Sequence, residues 1–156
     1  MIEATNKVRI ERPAWFVFEF LSDIENSPLW EQFDMRAIKI TPGIVELGTQ
    51  YRLVHAKYER TLRVFDYEKD NRIAVVTVEQ AAPKIELNIR LQPEGDALTL
   101  ALVDWKLAAG LPGLVERLAE GKIKQAVSES LYKLRELLET GSVTLENGRD
   151  IQMPDS

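Results

Sequence analysis

The chain of 156 residues contains no cysteine and a single histidine, His55. The absence of cysteine excludes disulfide bonds, thiolate catalysis and zinc sites built from cysteine. One histidine is too few for a histidine-rich metal site, which leaves only an all-oxygen site for a hard cation. We expect the protein to bind no metal and no other cofactor.

Positive charge is also scarce, because 20 Lys and Arg stand against 25 Asp and Glu and give a net charge of −5. Nucleic-acid binding requires clustered cations, so an acidic chain without a basic block argues against it. No apolar run reaches the roughly 18 residues that would cross a bilayer, and the first residues lack the layout of a secretory signal. We therefore expect a cytoplasmic protein with no nucleic-acid partner and no membrane insertion.

Most of the chain carries the pattern of short strands. Residues 2–10 alternate between apolar and polar side chains, which predicts a half-buried strand. Two short helices are predicted at 14–21 and 24–32, the first after Pro13 and the second after Asp23 as N-cap. Six further strands are predicted at 35–40, 49–56, 60–67, 72–80, 84–91 and 97–107. The tight turns between them indicate an antiparallel meander.

The last predicted element is one long amphipathic helix from about Pro112 to Glu139. At about 1.5 Å per residue it is roughly 40 Å long, enough to cross a whole domain. Its apolar positions follow helical spacing at Leu114, Val115, Leu118, Ile123, Ala126, Val127, Leu131, Leu134 and Leu138. Gly141 ends the helix, and we expect residues 141–156 to form a loosely ordered tail. The sequence thus predicts one α+β domain over residues 1–140.

This order of elements favours a ligand cavity. A long helix lying across a strongly curved antiparallel sheet covers the concave face but does not fill it. The space that remains between sheet and helix is a natural site for an apolar ligand.

The stretch IERPAWFVFEFLSDIENSPLW at residues 10–30 resembles the opening of the polyketide cyclase/dehydrase and lipid transport family. It contains in order that family's Pro, Val-Phe pair, Leu-x-Asp-x-x-Asn and Pro-x-Trp. Residues 48–52 resemble the start of the family's third strand, and residues 93–96 resemble the turn before its last strand. The resemblance covers about residues 2–139.

The resemblance implies the helix-grip fold of the START/Bet v 1-like (SRPBCC) superfamily. That fold has a curved seven-stranded antiparallel sheet, two short helices and a long C-terminal helix across the concave face. The resemblance is specific for fold and weak for activity, because members range from cyclases to passive carriers.

Together, these features predict binding of a small hydrophobic ligand, such as a lipid, a quinone or a polyketide-like molecule, between the sheet and the C-terminal helix. The expected lining residues are Trp30, Phe33, Tyr51, Leu53, His55, Tyr67, Leu87, Ile89, Leu100, Leu102, Val115, Leu118 and Ile123. Trp30 lies either at the cavity rim or in the core under the helix. The inward parity of the last strand stays open, because both of its faces are partly apolar.

A cyclase or dehydratase is the alternative hypothesis. His55 is the one side chain whose unperturbed pKa is near neutrality, and with Asp104 it would form an acid–base pair across the cavity. The plainer interpretations are a structural or exposed histidine and a solvated aspartate. The absence of an arginine with inward parity counts against cyclase chemistry.

A protein-partner module is the third hypothesis, and a homodimer is left open. An exposed apolar patch on the outer sheet face, formed by Val54, Val76 or Trp105, would favour it.

Overall fold

The structure is a computed structural model that describes residues 1–31, 35–144 and 148–153. Its helices are α1 (Ala14–Leu21), a short 3₁₀ helix (Ile24–Leu29) and α2 (Gly113–Thr140). Its strands are β1 (Ile2–Ile10), β2 (Arg36–Lys39), β3 (Gln50–His55), β4 (Tyr58–Glu68), β5 (Arg72–Thr77), β6 (Lys84–Pro93), β7 (Thr99–Ala108), β8 (Ser142–Thr144) and β9 (Asp150–Gln152).

Seven strands form one antiparallel sheet in the order β1-β7-β6-β5-β4-β3-β2. Every pair except β1 and β7 joins strands that are consecutive in the chain, which is the predicted meander. β1 follows the alternation of its sequence, with Ile2, Ala4, Val8 and Ile10 buried. The predicted α+β architecture, with two short helices and a long C-terminal helix, is therefore confirmed.

The register between β6 and β7 decides which side of the sheet faces the core. Leu87 is paired with Trp105, and Ile89 with Val103. Two residues paired across adjacent strands lie on the same face of the sheet, and so do residues two apart along one strand. These four side chains therefore share the inner face. Asp104, paired with Asn88, lies on the outer face.

The second predicted helix is a 3₁₀ helix of six residues that ends before Trp30. Pro28 lies inside it and cannot donate a backbone hydrogen bond, which disfavours an α-helix at this point. The Asp23 carboxylate accepts a hydrogen bond from the Glu25 N–H at 3.1 Å, which confirms Asp23 as the N-cap.

The helix α2 runs alongside the edge strand β1 in the same direction. The N-terminal ammonium of Met1 forms an ion pair with Glu116 near the start of the helix. Near its end, the Glu139 carboxylate accepts a hydrogen bond from the Glu11 N–H at 2.9 Å. No helix in the described part of the chain is long and apolar enough to cross a membrane.

Only the C-terminal half of α2 is buried. The buried positions are Val127, Ser130, Leu131, Leu134, Leu137 and Leu138. Leu114 and Leu118 are 73% and 74% exposed. At about 100° per residue, Leu114 lies about 160° around the helix axis from Leu134. Leu114, and Leu118 one turn later, therefore lie on a different face from the buried leucines, although the spacing alone suggests one continuous stripe.

The tail differs from the expectation of loose order. β8 and β9 pair as a short antiparallel hairpin, and Val143 and Ile151 are both buried in the main core. Gly141, with φ of 86°, makes the left-handed turn that directs the chain from α2 into this hairpin. Burial of two aliphatic side chains explains why this polar segment has a defined structure.

Candidate functional site

A small apolar cavity lies against the inner face of the sheet. Its volume is about 20 Å³, enough for about one water molecule. The sheet contributes Leu53, Leu62, Val75, Ile85, Leu87 and Trp105 to its wall. The opposite wall is formed by Ile24, Ser27, Glu31 and Met35. Side chains thus fill most of the space in which the sequence predicted a ligand.

The wall opposite the sheet comes from the 3₁₀ helix and the residues after it, whereas the sequence predicted α2. The expected lining residues Val115, Leu118 and Ile123 do not contribute to the cavity wall. Val115 and Leu118 are exposed, and Ile123 is half-buried. Leu118 lies about 160° around the helix axis from the buried Leu134, and Val115 about 100°, so both side chains turn away from the core.

Glu31 is the ionisable residue among the described residues of this cavity wall. The Glu31 N–H donates to the carbonyl of Ser27 at 2.8 Å, which fixes the backbone just after the 3₁₀ helix. The Glu31 Oε1 atom is buried and has no hydrogen-bond partner among the described residues. Burial raises the pKa of Glu31 from 4.5 to about 8.

A carboxyl group in this environment has two chemical uses. In its neutral form it donates one hydrogen bond and accepts others, and in its ionised form it accepts only. A pKa near neutrality also lets the group exchange a proton with a bound molecule. Among the described residues, no group of three His, Asp or Glu side chains is placed to hold a metal ion.

Of the predicted lining residues that the structure describes, two, Leu53 and Leu87, lie in the cavity wall. Tyr51 and Ile89 are fully buried in the core around it, and Trp30 is also a core residue. Of the two interpretations of Trp30, the structure therefore supports the buried one. Phe33 lies outside the described residues.

The last strand does not present Leu100, Leu102 and Asp104 to the cavity, where the sequence predicted them. Their alternation places them on the outer face, because Ala101, Val103 and Trp105 face the core. A carboxylate oxygen of Asp104 lies 4.0 Å from a guanidinium nitrogen of Arg90 on the neighbouring strand. The plainer interpretation of Asp104 as a solvated residue agrees with this position.

His55 and Asp104 do not form the expected pair across the cavity. His55 is the last residue of β3, and its ring stacks on Tyr58 with 4.6 Å between ring centroids. Its Nδ1 accepts a hydrogen bond from the Lys57 N–H at 3.1 Å, within the tight hairpin turn. Strand parity places Asp104 on the opposite face of the sheet, so the two groups cannot share a ligand.

Two tyrosines predicted near the site lie in the surrounding core. The Tyr51 hydroxyl is buried without a hydrogen-bond partner, and burial raises the pKa of Tyr51 above its usual range. Tyr67 is half-buried, with its ring edge-on to Phe18 at 5.7 Å between centroids. Burial raises the pKa of Tyr67 as well. Both hydroxyls therefore stay protonated at neutral pH.

A second, open groove of about 940 Å³ lies between α1 and the end of α2. Trp15 is 56% exposed there, although its apolar neighbours suggest a core position. The Arg12 guanidinium lies 5.9 Å from the centre of the Phe16 ring, a cation–π contact. Glu19, Asp23 and other polar groups share the wall, so the groove is a solvated surface depression.

Glu31 was missed by the sequence reasoning. A charged residue next to Trp30 and inside a short predicted helix has the usual pattern of a solvated surface position. Only the contact between the 3₁₀ helix and the sheet reveals that its carboxyl group points into an apolar space.

Comparison with known proteins identifies the fold but no family by sequence, because no family model and no curated protein matches the chain. A START superfamily protein from Mycobacterium smegmatis is 18% identical, with a TM-score of 0.65 over 87% of this chain and 98% of that chain. A protein from Thermus thermophilus is 18% identical, with a TM-score of 0.68 over 87% and 96%. The Aha1 dimer from Colwellia psychrerythraea is 12% identical, with a TM-score of 0.63 over 90% and 98%. The chain therefore has the START-like helix-grip fold that its sequence predicted.

Proposed function

We propose that this START-like fold binds a small apolar ligand against the inner face of its sheet, with Glu31 as the polar group that orients it. The observation that supports the proposal is the buried and unpaired Glu31 Oε1 in an otherwise apolar wall. An unpaired buried polar atom costs about 1–3 kcal/mol, which a ligand with a matching group would offset. Apolar contacts would add about 25 cal/mol per Å² of buried surface.

Ligand binding requires side chains of the cavity wall to move, because the cavity holds only about one water molecule. The wall consists mainly of aliphatic side chains, which form no hydrogen bonds, and the Met35 Sδ atom accepts only a weak one, from the Tyr58 hydroxyl at 3.4 Å. We expect a bound molecule to displace Met35 or other flexible side chains at the wall opposite the sheet.

Native mass spectrometry of the purified protein, followed by extraction into organic solvent, tests this proposal. We expect a co-purified lipid, quinone or polyketide-like molecule at near-unit stoichiometry. The Leu87→Ala variant, with an enlarged cavity, should retain more of it, whereas Leu102→Ala on the outer face serves as the matched control. The proposal fails if neither the wild type nor Leu87→Ala binds any of a panel of apolar probes.

We do not extend this proposal to a cyclase or dehydratase. That hypothesis relied on His55 and Asp104 acting together, and the two lie on different faces of the sheet. The protein-partner hypothesis relied on an outer patch of Val54, Val76 and Trp105. Val54 and Val76 are half-buried, and Trp105 lines the inner cavity.

A homodimer is a second candidate, supported by the outward face of α2. Leu111, just before this helix, and Leu114, Val115 and Leu118, in its first two turns, are all exposed. One structurally similar protein is described as a dimer. Exposed apolar side chains in such a cluster are typical of an interface.

Sedimentation equilibrium tests the dimer. We expect concentration-dependent association of the wild type and a monomer for Leu118→Glu. Leu118 makes no buried contact in the monomer, so its replacement should leave the melting temperature of the isolated chain unchanged. A wild type that remains monomeric at high micromolar concentration would exclude this interface.

A further inference from the structure

Glu31 lies in a cavity wall where its Oε1 atom has no hydrogen-bond partner among the described residues. Every other residue of the wall in the described part of the chain is non-ionisable: Ile24, Ser27, Met35, Leu53, Leu62, Val75, Ile85, Leu87 and Trp105. These residues cover the 3₁₀ helix, the residue before β2, and strands β3 to β7. No cation from these elements therefore faces the Glu31 carboxyl group.

A buried carboxylate is best matched by a cation that carries hydrogen-bond donors. The free volume beside Glu31 is about that of one water molecule, and an ammonium group has a similar size. Trp105 lies in the same wall, and the face of an indole ring also attracts a cation. The rest of the wall is suited to an alkyl chain or a ring.

From this geometry we infer that the ligand is an apolar amine whose ammonium group pairs with the Glu31 carboxylate. This inference rests on the proposed function, since it concerns the same cavity. It makes Glu31 a specificity determinant that favours an amine over an alcohol or a carboxylic acid of the same carbon skeleton.

Pairing of an ammonium group with Glu31 would make the affinity for an amine depend on pH. The ammonium ion enters with its proton, while the neutral Glu31 carboxyl group releases its own proton to solvent and becomes the carboxylate partner. Below pH 8, the affinity for an amine should therefore rise about tenfold per pH unit. The affinity for a neutral alcohol should not rise with pH.

The test uses the full chain with Leu87→Ala, which removes three carbon atoms from the cavity wall. Propylamine and 1-propanol replace these three carbons and differ only in the head group. We expect NMR titrations at pH 7 to show propylamine binding about tenfold to a hundredfold more tightly than 1-propanol. Glu31→Gln in the same background should abolish this preference and its pH dependence, while retaining binding of the alcohol.

The outcomes separate this inference from the proposed function. Equal affinity for the two probes, or a preference for the alcohol, would overturn the amine inference and leave apolar ligand binding intact. Binding of neither probe would count against both. If Leu87→Ala does not fold, Leu53→Ala enlarges the same cavity from the neighbouring part of the sheet and decides the question in the same way.

Discussion

At the residue scale, the least expected feature is the position of Glu31. Its Oε1 atom is buried and unpaired, while most carboxyl groups of this acidic chain are in contact with solvent. A protein retains an arrangement of this kind at a cost in stability. Functional sites are where such costs are most often found.

The pH dependence of stability reports the state of Glu31. A carboxyl group whose pKa is higher in the folded protein binds its proton more tightly when folded. The contribution of Glu31 to the unfolding free energy is therefore fully present below the unfolded pKa near 4.5, and falls by about 1.4 kcal/mol per pH unit toward pH 8. Glu31→Gln should remove this slope.

Urea unfolding of both proteins at pH 5, 6, 7 and 8 measures this effect. Every other titrating group is common to the two proteins, so their difference isolates Glu31. We expect Glu31→Gln to become progressively the more stable protein as the pH rises. Parallel curves would show that the carboxyl group is not buried in an apolar environment.

At the element scale, α2 consists of two halves with different roles. The half from Val127 to Leu138 packs into the core, whereas no residue from Gly113 to Ala126 is buried. The spacing of its apolar residues satisfies a helical pattern throughout, but the face that they occupy changes along the helix. Hydrophobic spacing thus predicts the helix and not the surface that it covers.

A matched pair of leucine substitutions distinguishes the halves. Leu134 is fully buried, so Leu134→Ala should reduce the unfolding free energy by about 2–5 kcal/mol. Leu118→Ala, the same change on the same helix, should cost less than about 0.5 kcal/mol. Denaturant unfolding of the dilute monomer measures both. A comparable cost at the two positions would mean that the first half of α2 packs against the core.

At the scale of the whole molecule, the core extends beyond the sheet and α2 to the C-terminal hairpin. Val143 and Ile151 join the same cluster as residues of β1, α1 and α2. The Lys133 ammonium also donates to the carbonyl of Thr144 at 2.8 Å, which links the hairpin to α2. The hairpin is therefore part of the domain.

Truncation after Gly141 tests this conclusion. Burial of a Val or Ile side chain contributes roughly 1.5–3 kcal/mol, so loss of both should lower the unfolding free energy by several kcal/mol. A full-length Ser142→Ala variant, altered at an exposed position of the same hairpin, should stay close to wild type. Thermal unfolding followed by circular dichroism checks both; an unchanged midpoint on truncation would assign the hairpin no structural role.

The sequence by itself determined the elements and their order. Alternation at residues 2–10, turn residues between the strands and the long helical pattern after Pro112 are local signals, and the seven strands of the sheet, α1 and α2 follow them closely. The C-terminal hairpin of β8 and β9 had no such signal. The family resemblance at residues 10–30 then sufficed to predict the helix-grip fold. Local sequence encodes backbone conformation, because the conformation of each residue depends on neighbours within one or two turns.

Only the tertiary structure decided which faces meet. The pairing of Leu87 with Trp105 settled the parity of β7, which the sequence had left open, and separated Asp104 from His55. The packing of the 3₁₀ helix on the sheet buried Glu31 and reduced the cavity to about 20 Å³. These outcomes depend on register and on side-chain volume between elements distant in sequence, and a one-residue change in register would reverse the face of every side chain in a strand.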